Sequence, residues 1–464
     1  MSQIQICDNL EVKRCTLIIA ALASFLAPFM SSSINIALPA IGKEFSIDAV
    51  RLSWIATSYL LAAAIFMVPL GRLADIKGLK RIFIFGLALY TISSFLAVLA
   101  SSYAFLIATR ALQGIGSAML FGTATAILAN VYPLGERGRV LGINTAFVYL
   151  GLTLGPFIGG LLTQNLGWRS LFLVNGLLAF IPLLLTIWKL KDEWADSKGE
   201  SFDFLGSFVY GIMLVCIMYG FSQLPDMKGV IIFLTGAMAL PILMKWESKI
   251  EFPVLDVNLF RNNRIYAFSN LTALINYSAT FGVGFLLSLY LQYIRELEPA
   301  QAGLILLTQP LVMTIFSPYS GRLSDRIEPR IVATIGMAIT FIAIFPLALI
   351  SSETRILVLM LDLLLLGVGL AFFSSPNTNA IMSSLNRKQY GVGSATLATM
   401  RLVGQVTSMG LIMLVFSTIL GRVEITPEYY TLFLSSTKAA FVLFSALCLI
   451  GVFTSNIRGH LRKD

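Results

Sequence analysis

The chain has 464 residues, of which 57% are hydrophobic and only 12% are charged, and its formal net charge is +9. Soluble domains carry roughly a quarter charged residues, so this composition excludes an ordinary soluble fold and indicates a polytopic α-helical membrane protein. With one histidine in the whole chain, histidine relays and histidine-based metal sites are excluded, and we expect no cofactor and no resident metal.

The charged residues fall in short groups between apolar runs of about 20 residues, the length that crosses a hydrocarbon core. Fourteen such runs are predicted, in chain order at 15–40, 52–70, 82–100, 103–130, 139–163, 168–188, 204–224, 229–245, 265–293, 301–320, 331–350, 355–378, 392–420 and 435–456. The first run is too long for the apolar core of a signal peptide and is interpreted as a retained helix.

Lysine and arginine are distributed unevenly among the loops. With the N-terminus inside, 23 of the 33 basic residues lie in inner loops and tails. This positive-inside bias predicts that both termini are cytoplasmic. It explains the basic charge by membrane orientation, so no nucleic-acid partner is expected. We expect a monomeric, multi-pass protein of the plasma membrane that contacts membrane lipids.

A charged, glycine-containing segment separates the second and third runs: Gly71-Arg72-Leu73-Ala74-Asp75-Ile76-Lys77-Gly78-Leu79-Lys80-Arg81. A second copy, GRLSDRIEPR at residues 321–330, follows the tenth run. The same signature at two junctions indicates an internal repeat. We predict a tight turn in which the glycines permit left-handed geometry.

The first copy resembles the helix 2–3 loop signature of the major facilitator superfamily. The resemblance implies a latch between the two halves of the protein, although a loop that only sets topology is an alternative. The second copy has Glu328-Pro329 where the later glycine would stand, so it departs from the pattern. The residues assigned to the latch are Gly71, Arg72, Asp75, Gly78, Lys80, Arg81 and Asp325.

The second copy is displaced by eight runs, although duplication of a six-helix unit would displace it by six. Two helices, near 204–224 and 229–245, are therefore predicted to be inserted. The expected domains are an N-terminal six-helix bundle (1–190), a linker with the inserted pair (191–262) and a C-terminal six-helix bundle (263–464). This arrangement resembles the fourteen-helix drug:proton antiporter branch of the superfamily, which implies the all-α major facilitator fold and multidrug efflux.

Two further segments resemble motifs of the family. The segment 106–118 contains Arg110 and resembles the helix 4 motif whose arginine is linked to proton coupling; a guanidinium within a span is costly unless it has a partner or faces a wet cavity. A hydrogen bond to a neighbouring backbone is the structural alternative. The fifth run resembles the antiporter signature and predicts close helix packing, of which generic packing is the alternative; its residues are Gly151, Gly155, Pro156, Gly159 and Gly160.

The first run contains no acidic residue, because Met30 stands where many members of the branch have an aspartate. Asp362, about seven residues and therefore about 10 Å into the twelfth run, is the candidate proton carrier. Counted from the two charged segments, Asp362 and Arg110 hold nearly equivalent places. We hypothesise that they are electrostatically linked; a purely structural carboxylate is the alternative.

The remaining polar residues within apolar runs are candidates for a substrate cavity: Asn35, Gln113, Gln309, Arg401 and Gln405. No phosphate-loop motif is present, so ATP-driven transport is not expected. The resemblance implies a secondary active transporter, not an enzyme, that exports amphipathic, often cationic organic compounds in exchange for protons by alternating access. The alternatives are a proton- or sodium-coupled transporter of a specific metabolite or lipid, a membrane-embedded enzyme, and a non-transporting sensor.

Overall fold

The computed structural model describes residues 10–195, 197–250, 257–386 and 389–461. Fourteen helices in these ranges are long and apolar enough to cross a membrane, which confirms the expected all-α polytopic fold. The first eight are α1 Leu10–Phe45, α2 Ala49–Lys77, α3 Leu79–Val98, α4 Tyr103–Val131, α5 Leu134–Leu166, α6 Arg169–Lys189, α7 Phe204–Gln223 and α8 Met227–Glu247.

The other six follow a short helix, Val257–Asn262. They are α9 Arg264–Leu289, α10 in two segments (Pro299–Leu306 and Thr308–Arg326), α11 Pro329–Ile344, α12 Ile356–Ser383, α13 Tyr390–Val415 and α14 Tyr430–Ile457. A π-helical turn extends both α9 and α13, to Ile294 and Leu420. Because fourteen crossings are an even number, both ends of the described chain lie at one face, which we call the termini face. The other is the opposite face.

Several helices begin at a side chain that accepts a hydrogen bond from the first turn, which satisfies an otherwise unpaired N–H group. Asp48 accepts from the Arg51 N–H at 2.9 Å, and Asn263 accepts from the Tyr266 N–H at 3.0 Å. Ser102 caps α4 in the same way. These polar caps mark where apolar runs of the sequence become helices.

The helices pack as two equivalent groups. In the first, α1 packs on α5 and α6, α2 on α4, and α3 on α4 and α6. The same pairs recur eight helices later, with α9 on α13 and α14, α10 on α12, and α11 on α12 and α14. We call α1–α6 the N bundle and α9–α14 the C bundle. Helices α7 and α8 pack on each other, and α7 also contacts α2 and α13.

The expected tight turn over residues 71–81 is wrong in its extent. Helix α2 continues to Lys77, and only Gly78, at φ +118°, leaves helical geometry before α3 begins. The positive φ explains the glycine at 78 but not Gly71, which lies inside α2. The second copy behaves alike, since α10 continues to Arg326. Polar side chains mark the edge of the apolar core, whereas the backbone goes on making helical hydrogen bonds beyond it.

The two bundles are held together near the midplane and towards the opposite face. The hydrogen bonds that join them in the described part of the chain include Ser288 Oγ to Asn35 O at 2.7 Å, Gln292 Nε2 to Ile36 O at 3.1 Å, Ala49 N to Val423 O at 3.2 Å, Ala300 N to Gln164 Oε1 at 3.2 Å, and the Thr153–Thr314 hydroxyl pair at 3.3 Å. Towards the termini face, Gly138 and Gly142 of α5 are exposed, and a Cβ on either would meet no atom within 4 Å. At these two glycines, no described part of the chain packs against the termini-face end of α5.

Candidate substrate-binding site

A polar cluster lies where the two bundles meet. Arg401 of α13 donates from Nη2 to the Thr378 hydroxyl of α12 at 3.2 Å, and its Cζ lies 5.6 Å from the ring centroid of Tyr277 in α9. The Arg401 Nε is buried and has no hydrogen-bond partner among the described residues. The Arg401 guanidinium is therefore held by one hydrogen bond and one ring contact, and these contacts leave several of its N–H donors unused.

The N bundle contributes Tyr149 of α5 to the same place. Its side chain lies close to Ser317 of α10 and Ser374 of α12, with Arg401 and Tyr277 nearby. We call these six residues the central cluster: Tyr149, Tyr277, Ser317, Ser374, Thr378 and Arg401. Of them, the sequence patterns indicated only Arg401.

Helix α5 contacts both bundles, and it uses a different face for each. Gly151, Gly155 and Gly159 lie against α1, where Ser33 donates to the Gly155 carbonyl at 2.9 Å. The other face runs from Tyr149 through Thr153 and Pro156 to Gly160 and meets the C bundle. The glycine face fixes α5 within its own bundle, whereas the second face forms the junction between bundles.

Arg110 is embedded inside the N bundle, where it is 1% exposed. Its Nε donates to the Ile55 carbonyl at 3.1 Å, its Nη1 donates to Gln113 Oε1, and its Cζ lies 4.4 Å from the ring centroid of Tyr59. Gln113 in turn donates to the Ser94 hydroxyl at 2.8 Å. Arg110 therefore ties α4 to α2 and, through Gln113, to α3. The prediction that Gln113 lines a cavity is wrong, because both ends of its amide are used within the bundle.

Asp362 of α12 is partly exposed and makes no hydrogen bond or ion pair with any described residue. Arg110 contacts side chains of its own bundle, among them Tyr59, Gln113 and Phe172. No described contact joins Asp362 to Arg110, so the hypothesis that they are electrostatically linked stays a prediction. The two residues occupy similar depths in different bundles, and equivalent positions in a repeat do not bring side chains together.

The other expected cavity residues are dispersed. Gln405 lies one helical turn from Arg401, and both are partly exposed. Gln309 is partly exposed just after the break at Leu307 in α10. Asn35 is 8% exposed, and its side-chain oxygen has no hydrogen-bond partner in the described part of the chain.

The charged segment after α2 contacts the linker that follows α6. Glu193 accepts from the Lys80 backbone N–H at 2.9 Å and lies 3.7 Å from Arg81 Nε. Arg72 forms an ion pair with Glu200. In the second copy, Asp325 accepts from Asn379 of the C bundle at 3.2 Å. In the contacts described, the first charged segment is therefore bonded to the linker, and the second is bonded to its own C bundle.

Two repeated six-helix bundles, an inserted helical pair and a polar cluster at the bundle junction define a multi-pass membrane protein of the transporter class. The sequence matches the Major Facilitator Superfamily over residues 20–409 and again over 268–457. The chain belongs to this superfamily.

Its relatives include proteins named as transporters of different compounds. The chain is 28% identical over 443 residues to "Riboflavin transporter RibZ" of Clostridioides difficile (strain 630), a match that covers 96% of this chain and 97% of that protein. It is 30% identical over 396 residues to "Multidrug resistance protein Stp" of Mycobacterium tuberculosis, covering 84% and 73%. It is 27% identical over 394 residues to "Tetracenomycin C resistance and export protein" of Streptomyces glaucescens, covering 84% and 73%. The relatives therefore include members of the drug-efflux branch.

Solved structures share the fold at low sequence identity. A bacterial homologue of the human lysosomal transporter Spinster superposes with a TM-score of 0.72 at 13% identity, covering 97% of each chain. The peptide transporter POT superposes with a TM-score of 0.69 at 14% identity, covering 97% of this chain and 98% of that one.

Proposed function

We propose that the protein is a secondary active transporter that exports small amphipathic organic compounds in exchange for protons. The observation that carries this proposal is the position of the described hydrogen bonds between the bundles, which lie near the midplane and towards the opposite face. This arrangement would leave a cleft that opens at the termini face and ends near the central cluster. Rocking of the N bundle (1–190) against the C bundle (263–464) about that cluster would expose it to each side in turn. Residues 191–262 would carry the inserted pair without forming part of the path.

The proposed setting is the plasma membrane, with the monomer in direct contact with lipid and both termini in the cytoplasm. The excess of lysine and arginine at the termini face supports this orientation. A cleft open to the cytoplasm would collect a compound there and release it outside. The names of the efflux relatives support this direction of transport.

Asp362 is our proposed proton-binding group. Among the described residues it is the only acidic side chain more than five positions from an end of a membrane-crossing helix. A proton carrier must be titratable, and carboxylates within a membrane span are functional candidates by default. Arg110 would contribute to coupling by keeping α2, α3 and α4 together as one moving unit. The residues around Gly71–Arg81, together with Asp325, would act as a latch when the termini face closes.

A second candidate function is the transport of one defined metabolite. Two observations favour it: the match to a riboflavin transporter runs over 96% of this chain, and the described central cluster has no acidic side chain that would attract organic cations.

Inside-out membrane vesicles loaded with this protein test the proposed function. With a proton gradient imposed, we expect uptake of riboflavin or of ethidium, and we expect a protonophore to abolish it. Vesicles without the protein are the control. Uptake that continues undiminished after the gradient collapses would contradict proton exchange. Uptake of riboflavin alone would favour the metabolite transporter.

A further inference from the structure

Two arginines of the described chain are buried, Arg110 and Arg458, and they use their donors differently from the partly exposed Arg401. Arg110 and Arg458 are each 1% exposed. In both guanidinium groups several N–H groups donate hydrogen bonds to neighbouring carbonyl or amide oxygens. Arg401 is partly exposed and donates one hydrogen bond, to Thr378. A guanidinium has five N–H donors in a fixed planar fork. Arg401 therefore keeps most of its donors available at the bundle junction.

The charge around Arg401 is not compensated locally. Asp362 lies on α12 sixteen positions from Thr378, a separation of about 24 Å at the α-helical rise. Asp325 is exposed near the end of α10, where its carboxylate accepts from Asn379. No ion pair of the described residues includes Arg401. The junction therefore carries a positive charge that would repel an organic cation.

The side chains around Arg401 carry aromatic rings and hydroxyl groups. The ring of Tyr277 lies 5.6 Å from the Arg401 Cζ, and Tyr149 approaches from the other bundle. Planar guanidinium groups pair with carboxylates and with rows of acceptor oxygens, and they stack on aromatic faces. Tyrosine rings pack against flat apolar surfaces and offer a hydroxyl at the edge.

We infer that the central cluster binds planar aromatic compounds through an anionic or acceptor-rich edge that Arg401 recognises, while Tyr149 and Tyr277 contact the ring. This inference rests on the proposed transport function, because it assigns a ligand class to the same cleft. It replaces the cationic preference implied by resemblance to the drug antiporters. Binding from both bundles would also couple ligand occupancy to their relative position.

Equilibrium binding to purified protein in lipid nanodiscs tests the inference, with three planar probes of different charge: fluorescein (anionic), riboflavin (neutral with acceptor oxygens) and ethidium (cationic). We expect fluorescein and riboflavin to bind more tightly than ethidium. Arg401→Gln should weaken fluorescein binding at least about tenfold, as loss of charged hydrogen bonds requires. Arg401→Lys should restore part of the loss, and the exposed Arg261→Gln is the matched control.

Tyr277→Leu gives a second readout if Arg401→Gln folds poorly, as judged by gel filtration. It should weaken all three probes by a similar factor, because it removes ring contact without removing charge. Ethidium binding more tightly than fluorescein, or fluorescein binding that is unchanged in Arg401→Gln, would overturn the inference. Because no gradient is present, Arg401-dependent binding without vesicle transport would reject the proposed function and leave this inference standing.

Discussion

The carbonyl oxygen of Pro156 in α5 occupies the space that a Cβ on Gly303 of α10 would need. The relationship is reciprocal, because a Cβ on Gly160 would meet the carbonyl oxygen of Pro299. Helices from different bundles thus touch backbone to backbone on the opposite-face side of the midplane. Small residues permit this approach, and the seal between the bundles depends on it.

Gly303→Val is expected to weaken this seal. Overpacking a close contact costs about 1–3 kcal/mol, enough to shift the equilibrium between the two open states several-fold. A cysteine at position 164 should then react faster with a membrane-impermeant maleimide added at the opposite face. Gly142→Val is the control, because a Cβ there meets nothing within 4 Å. Equal labelling of the two variants would contradict the proposed role of the contact.

Arg110→Lys is expected to destabilise the protein even though the charge is kept. An ammonium cannot reach both the Ile55 carbonyl and Gln113 while lying against Tyr59, so at least one buried acceptor loses its partner. The expected loss is about 1.5–3 kcal/mol in the free energy of unfolding, measured by thermal denaturation in detergent. Arg261→Lys, at an exposed site, should change stability little. A melting temperature equal to that of the control would show that the network around Arg110 is not structural.

Glu193 is expected to stabilise the start of α3. The N-cap residue of α3 is Gly78, which has no side chain to accept a hydrogen bond, and Glu193 of the linker accepts from Lys80 instead. Glu193→Ala should cost about 1 kcal/mol, the usual value of a lost N-cap. Glu193→Gln should retain most of the stability, because an amide oxygen still accepts. Equal thermal stability of the alanine and wild-type proteins would remove this cap from the account.

Asp362→Asn is expected to separate substrate exchange from proton-driven export. The amide is similar in size but cannot bind and release a proton, so exchange across proteoliposomes should persist while net uphill transport is lost. Transport should be followed with whichever probe the wild-type protein accumulates. Proton-driven transport at the wild-type rate would remove Asp362 from the mechanism.

Much of the fold could be predicted from the sequence, for identifiable reasons. The lengths of the apolar runs predict fourteen crossings, and the repeated charged segment predicts a displacement of eight helices, which the helix packing reproduces. Hydropathy does not mark where a helix ends, so Gly71 was expected in a turn and lies in a helix. Side-chain polarity and backbone hydrogen bonding report different boundaries.

The site was harder to predict, because residues from five helices form it. Arg401 was evident as a charge in an apolar run. Tyrosine and threonine residues are common in such helices, so nothing in the sequence distinguished Tyr277 or Thr378. A usable signal did exist in α5, where Tyr149, Thr153, Pro156 and Gly160 follow a 4-3-4 spacing that places them on one helical face. The neighbouring glycine repeat indicates a different face of α5, the one that packs on α1. Polarity within a span also does not reveal which contacts a side chain makes: the amide of Gln113 is bonded within the N bundle, and Asp362 has no described contact with Arg110.

The central claim is that the two bundles must separate at the opposite face during transport. Cross-linking at that face tests this claim most directly. In a variant lacking the four native cysteines, Gln164→Cys and Ala300→Cys would place thiols where a hydrogen bond of 3.2 Å now joins the bundles. Glu44→Cys with Arg169→Cys, which joins two helices of the N bundle, is the matched control. Oxidation should abolish transport by the first pair, reductant should restore it, and the control pair should transport equally in both states. Full transport by the oxidised Gln164–Ala300 pair would contradict the account.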